Sequence, residues 1–222
     1  MESKRDTSDL SWVRDTLYVA VICDVLDQLG YRQQAMHQRL RPLDPDNCVI
    51  LGRARTWQWM EVAYIGNDPY RIEIAAVDAL RPGDVVVHST DAGASNAPWG
   101  ELMTTAAAIR GCVGCICDSQ IRDCTRIRAM RFPVFHAGVR PVDSQGRGRV
   151  VEFDVPINCG GVVVHPGDLI FADFDGVVVI PRDVEASALE AARAKTDKES
   201  VTRRELARGR LLADVYAEYG VL

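Results

Sequence analysis

Three observations predict an α/β fold in one domain that carries an additional β-rich layer. Strand and helix signals alternate between Val85 and Ala137, short strands crowd together after Val150, and a charged helical tail begins at Asp183. Ala20 to Leu29 reads as a helix, with Val21, Val25, Leu26 and Leu29 on one face and Gly30 at its stop. Val49 to Trp59 is rich in β-formers and reads as a strand. Arg71 to Leu80 reads as a helix ending at Arg81-Pro82-Gly83-Asp84, and Val85 to His88 is a compact apolar strand. Ser95 and Asn96 offer capping oxygens for an Ala-rich helix, Glu101 to Arg110, closed by Gly111. Val113 to Cys117 is a buried strand, and a polar loop, Asp118-Ser119-Gln120, leads into Arg122-Asp123 at the start of a helix through Met130. Strand Val134 to Ala137 completes the alternation, which is the signature of parallel strands.

Beyond it come short strands at Val150 to Val155, Val162 to Val164, Leu169 to Ala172 and Val177 to Ile180. The triplet Pro-Gly-Asp occurs at 82–84 and again at 166–168, each time before an apolar strand; Pro and Gly suit the centre of a type II turn, and either an internal repeat or convergent turn chemistry accounts for the pair. Residues 1–182 are read as the α/β domain. Residues 183–222 are read as a helical tail, with helices from Asp183 to about Arg208 and from Leu211 to Tyr219, that packs on the domain or a neighbouring subunit.

Composition narrows the function classes. The chain has 222 residues, 47% of them hydrophobic, enough to bury one sizeable core. A formal charge of -5 speaks against a nucleic-acid partner, whose binders show a basic face. No uncharged apolar run approaches the roughly 18 residues needed to cross a bilayer, so no membrane partner is expected. Met1 to Asp15 is polar, and a cytoplasmic location is the expectation. Seven cysteines are an odd number for a disulfide framework. Cys112, Cys115, Cys117 and Cys124 lack the second pair a zinc site needs and are read as small apolar fillers of a buried strand. The four histidines stand at no ligand spacing and are assigned no role.

Two helix starts carry the chemistry. Gly100-Glu101 and Arg122-Asp123 both follow turns and both present free backbone N–H groups with a partial positive field. Arg122-Asp123 follows a strand directly, at the end where ligands gather in open α/β sheets. An arginine fork grips a carboxylate, and an adjacent aspartate offers a hard oxygen ligand to Mg²⁺ or Mn²⁺. The dipeptide alone is common, and a surface ion pair is its plain reading.

The surrounding string is more specific: Trp99-Gly100-Glu101-Leu102, Ala106-Ala107, Arg110-Gly111, Asp118 to Asp123, Phe132-Pro133-Val134-Phe135, Gly160-Gly161-Val162, Pro166-Gly167-Asp168, Ala172-Asp173, Asp175-Gly176-Val177 and Pro181. Over about residues 20 to 181 it resembles the 4-hydroxy-4-methyl-2-oxoglutarate aldolases, a family that also contains the regulator of ribonuclease activity A. The resemblance implies a three-layer β-β-α sandwich, a homotrimer or dimer of trimers, and a site between subunits. It also implies that Arg122 holds the pyruvyl part of a small 2-oxo acid substrate, that Asp123 ligates Mg²⁺ or Mn²⁺, and that Glu101 orients metal-bound water. Gly100, Glu101, Leu102 and Met103 form the substrate-binding helix start in this reading. Where the family usually has glycine in its Asp-Gly-x-Val-Arg-Asp stretch, this chain has Ser119. Trp57 and Trp59 crowd a strand that usually carries smaller residues; core or interface packing is their expected role.

The lysine content points the same way independently of the resemblance. A Schiff-base aldolase needs a desolvated lysine, and the chain has only Lys4 in the polar leader and Lys195 and Lys198 in a charged helix. A divalent cation is then left as the electron sink for retro-aldol cleavage to pyruvate, and oxaloacetate decarboxylation passes through the same enolate. The expected base is a water held by Glu101, assisted by Glu199 from a neighbouring subunit's tail helix. The rival expectation is a non-catalytic regulator that binds a partner protein; retention of Arg122, Asp123 and Glu101 together favours the enzyme.

Overall fold

The chain folds around its longest strand. A computed structural model describes residues 10–90 and 95–221; Lys4 lies outside the described residues. In chain order the elements are α1 (Ser11–Thr16), α2 (Val19–Gln28), β1 (Arg41–Pro42), β2 (Ile50–Glu61), α3 (Arg71–Asp78), β3 (Asp84–Ser89), α4 (Glu101–Ile109), β4 (Gly114–Ile121), α5 (Cys124–Ala129), β5 (Val134–Val139), β6 (Gly148–Phe153), β7 (Ile157–Cys159), β8 (Val162–Val164), β9 (Leu169–Asp173), β10 (Gly176–Ile180), α6 (Glu185–Ala207) and α7 (Leu212–Tyr219). The eight-stranded sheet has the order β1-β5-β4-β3-β2-β9-β10, with β6 also on β2. Strands β2 to β5 are mutually parallel, while β1, β6, β9 and β10 join antiparallel. β2 holds both kinds together: its first residues pair with β9 and its last with β6 along one edge.

Three apolar clusters define the layers. One face of the sheet, through Val85, Val87, Ile116, Phe135, Ile170 and Val179, closes over the β7–β8 ribbon. The opposite face, through Trp57, Val86, Cys115 and Ile121, is covered by α3, α4 and α5 through Ala76, Ala107 and Ile127. Leu169, Phe171, Val178 and Ile180 of β9 and β10 pack against α1, α2 and α6. The result is a mixed α/β fold with a large, nearly closed sheet and helices on its outside.

The two Pro-Gly-Asp triplets adopt the same local structure. Asp84 N–H donates to Arg81 O and Asp168 N–H to His165 O, both at 3.1 Å, with Gly83 at φ +83° and Gly167 at φ +87°. Each aspartate also turns back on its own turn, Asp84 Oδ2 accepting Arg81 N–H and Asp168 Oδ2 accepting His165 N–H, both at 2.8 Å. The two turns meet on β2: Arg53 N–H donates to Gly83 O, and Ala54 N–H to Asp168 O.

Two expectations need correction. Asp118-Ser119-Gln120 is not a loop: β4 continues through it to Ile121, with a shift of register against β5 between Cys117 and Gln120 and with Asp118 and Ser119 buried. Polar residues survive there because Asp118 accepts Thr90 N–H at 2.6 Å, Thr90 Oγ1 at 2.8 Å and Gly160 N–H at 3.1 Å, so the carboxylate is satisfied without water. Nor do Ser95 and Asn96 cap α4. Its N-cap is Gly100, and among the described residues no side chain caps it and the buried Asn96 amide has no hydrogen-bond partner. The short α1, β1 and β7 are too brief to leave a periodic signal.

Candidate active site

The carboxyl ends of β3, β4 and β5 converge where α4 begins, and sequence folds the chain tightly there. Trp99 bridges to Ile121, and Arg122 N–H donates to Trp99 O at 3.0 Å, so the α4 start is stitched to the end of β4. Gly100 suits this close approach: a Cβ there would stand 2.8 Å from Asp123 Oδ2 and 3.1 Å from Arg122 Cγ, and those side chains would have to shift.

Asp123 holds a left-handed backbone, φ +59° and ψ 29°, a conformation aspartate tolerates at a cost of about 1 kcal/mol. It stands at the N-cap of α5 without capping it. Its carboxylate turns instead to the neighbouring helix start, where Oδ2 accepts Glu101 N–H at 3.2 Å. The first-turn N–H groups of Leu102 and Met103 belong to the donors that no helical carbonyl satisfies. Leu102 is exposed and Met103 packs on the sheet cluster. The Glu101 carboxylate accepts Thr105 Oγ1–H at 3.1 Å.

Arg122 lies between two carboxylates. Nη2 is 3.0 Å from Asp143 Oδ1 and Nε is 3.8 Å from Asp123 Oδ2, and the three side chains are 37%, 36% and 42% exposed. Pairs this wet are screened and weak, so a substrate carboxylate can replace or join them. Among the described residues no three His, Cys, Asp or Glu side chains are grouped to hold a metal. Asp123, with Glu101 beside it, nevertheless offers the donor set Mg²⁺ favours, one or two carboxylates with water completing the octahedron.

The fold thus places Gly100, Glu101, Arg122 and Asp123 side by side, with Leu102 and Met103 following on α4. Glu199 lies elsewhere in the same chain: on α6 it accepts the Tyr18 hydroxyl, whose pKa burial and this carboxylate push up to about 12. Ser119 is an inward-packed strand residue. Trp57 and Trp59 are core residues against His88, itself driven down to about 4 by full burial. The cysteines are free thiols, and burial raises those of Cys112, Cys115 and Cys117.

Sequence reasoning missed Asp143, Tyr70 and Glu73. Asp143 follows β5, another parallel strand of the same sheet, so the rule that pointed to Arg122 could have found it. Nothing in the α3 sequence announces Tyr70 and Glu73.

The parallel strands thus carry an arginine–aspartate pair at their carboxyl edge, facing a helix start. The RraA-like family, described as Aldolase/RraA, matches residues 19–179, and the chain belongs to it. A protein of Halalkalibacterium halodurans named "Putative 4-hydroxy-4-methyl-2-oxoglutarate aldolase" is 30% identical over 203 residues, covering 91% of each chain. The crystal structure of Streptomyces coelicolor RraAS2, titled an unusual member of the RNase ES inhibitor RraA protein family, superposes with a TM-score of 0.80 at 28% identity, covering 91% of this chain and 99% of that one. An uncharacterized Pseudomonas syringae protein superposes with a TM-score of 0.82 at 26% identity, covering 96% and 99%.

Proposed function

We propose that the chain is a lyase dependent on Mg²⁺ or Mn²⁺ that cleaves 4-hydroxy-2-oxo acids to pyruvate by a retro-aldol reaction and also decarboxylates oxaloacetate. The observation that supports this most is the pairing of Arg122 with Asp123, both more than a third exposed, against the Gly100-Glu101 helix start. In this reading Arg122 grips the substrate carboxylate, with the Leu102 and Met103 N–H groups beside it. Asp123 holds the cation, which when bound supplies Lewis-acid stabilisation of charge developing on the keto oxygen. Glu101 orients a water that takes the distal hydroxyl proton, and Glu199 of a neighbouring subunit in a trimer or dimer of trimers assists it. The bond between the carbinol carbon and the methylene beside the keto group then breaks, leaving a carbonyl product and the enolate of pyruvate, which is protonated and released.

The test is to incubate the purified protein with Mg²⁺ and oxaloacetate or 4-hydroxy-4-methyl-2-oxoglutarate and follow pyruvate. Turnover should be lost with EDTA and with Asp123→Ala; activity that survives both refutes the role given to the metal. The RNase-inhibitor title of the Streptomyces relative favours a second reading, a non-catalytic interaction protein. Absence of turnover on either substrate with Mg²⁺ and with Mn²⁺, together with inhibition of a ribonuclease by the purified protein, decides for it.

A further inference from the structure

Arg122 has two carboxylate neighbours, and Asp143 is the nearer, in an ion pair 3.0 Å from Nη2 against 3.8 Å from Nε for Asp123. Asp143 is itself built into place. Its Oδ2 accepts the Tyr70 hydroxyl at 3.0 Å and Gln145 N–H at 3.1 Å, and its backbone carbonyl accepts from Arg147 Nη1 at 3.0 Å. Tyr70 stands at the N-cap of α3, and Glu73, one turn on and 5% exposed, faces the same Asp143–Arg122 pair.

The two acids divide the charge between them. Burial first, then the charge of Asp143, pushes Glu73 up to about 7. Burial acts on Asp143 in the same sense, but the Gln145 N–H, the Tyr70 hydroxyl and the Arg122 charge outweigh it and hold Asp143 below its ordinary value. The carboxylate presented to Arg122 is therefore that of Asp143, while Glu73 stays neutral up to about pH 7. An arginine side chain this exposed would otherwise sample many rotamers; the anchored charge of Asp143, 3.0 Å from Nη2, favours those that keep the guanidinium beside it.

The geometry points to Asp143, presented by Tyr70, as the positioning residue that orients Arg122 for a substrate carboxylate. The inference rests on the proposed lyase reading only for the identity of that carboxylate. The experiment pairs steady-state kinetics on a 2-oxo acid with calorimetric binding of oxalate in the presence of Mg²⁺, for the wild type, Asp143→Asn, Asp143→Glu and Tyr70→Phe, each checked for a native thermal transition. Asp143→Asn should raise KM and the oxalate Kd about tenfold while kcat changes less than about threefold, because binding orientation rather than the reacting groups is lost. Tyr70→Phe, which removes one oxygen and leaves the fold intact, should weaken binding about threefold, and Asp143→Glu should recover part of the loss. Unchanged or tighter binding in both Asp143→Asn and Tyr70→Phe overturns the inference and makes Asp143 a bystander or a competitor. A wild type that binds oxalate without turning over 2-oxo acids sinks the lyase reading alone, and the Kd series still decides this one. A wild type that binds neither overturns both.

Discussion

The two ends of the parallel strands each carry an arginine between two aspartates, and they are built for opposite purposes. At the amino end of β3, Arg55 lies between Asp84, 2.9 Å from Nη1, and Asp154, 2.7 Å from Nε, and also donates to Ala79 O at 2.8 Å. Arg55 and Asp84 are 7% and 2% exposed, and the burial lies in that pair, since Asp154 is 38% exposed. At the carboxyl end Arg122, Asp143 and Asp123 are each more than a third exposed. The chemistry of the groups is the same, so burial makes the difference. A buried pair with every bond made cannot exchange partners without stranding a charge, whereas a wet pair can give one partner up to a ligand. Scaffold and site are told apart by solvent, not by residue type.

The largest effect should come from breaking the buried end. Asp84→Ala leaves Arg55 with one of its two carboxylates and should cost about 3–5 kcal/mol of stability by denaturant unfolding; a loss below about 1 kcal/mol, the range of an exposed pair, would erase the contrast. Next, Asp123→Ala should leave stability within about 1 kcal/mol while lowering lyase kcat/KM at least about 100-fold. A variant that unfolds would place Asp123 with the scaffold.

Glu73 sharpens the comparison from between the two ends. Its folded pKa of about 7 lies above that of an unfolded glutamate, so the stability it contributes is full below the unfolded value and is lost as pH rises through about 7. Glu73→Gln should therefore match the wild type near pH 5 and become the more stable protein at pH 8, by no more than about 3 kcal/mol. Parallel stability curves across that window would show that Glu73 titrates like a surface carboxylate. Smallest of all, Arg128→Ala, which loses a long 3.5 Å pair whose arginine is 55% exposed and whose Asp44 is 16% exposed, should change stability by less than about 1 kcal/mol and leave turnover unchanged.

Sequence alone determined the alternation of β3, α4, β4, α5 and β5, the two Pro-Gly-Asp turns, and the neighbourhood of Gly100, Glu101, Arg122 and Asp123. These are local signals: hydrophobic period, turn chemistry and helix starts act over a few residues, and the parallel order they imply brings strand ends together. Tertiary structure decided the rest. It made Asp118-Ser119 strand because Thr90 and Gly160, distant in sequence, satisfy the carboxylate. It set Tyr70, Glu73 and Asp143 against Arg122, and it divided two similar arginine–aspartate groups into a buried tie and a solvent-facing clamp. Burial is a property of what packs around a residue after the whole chain has closed, and no window of sequence contains it.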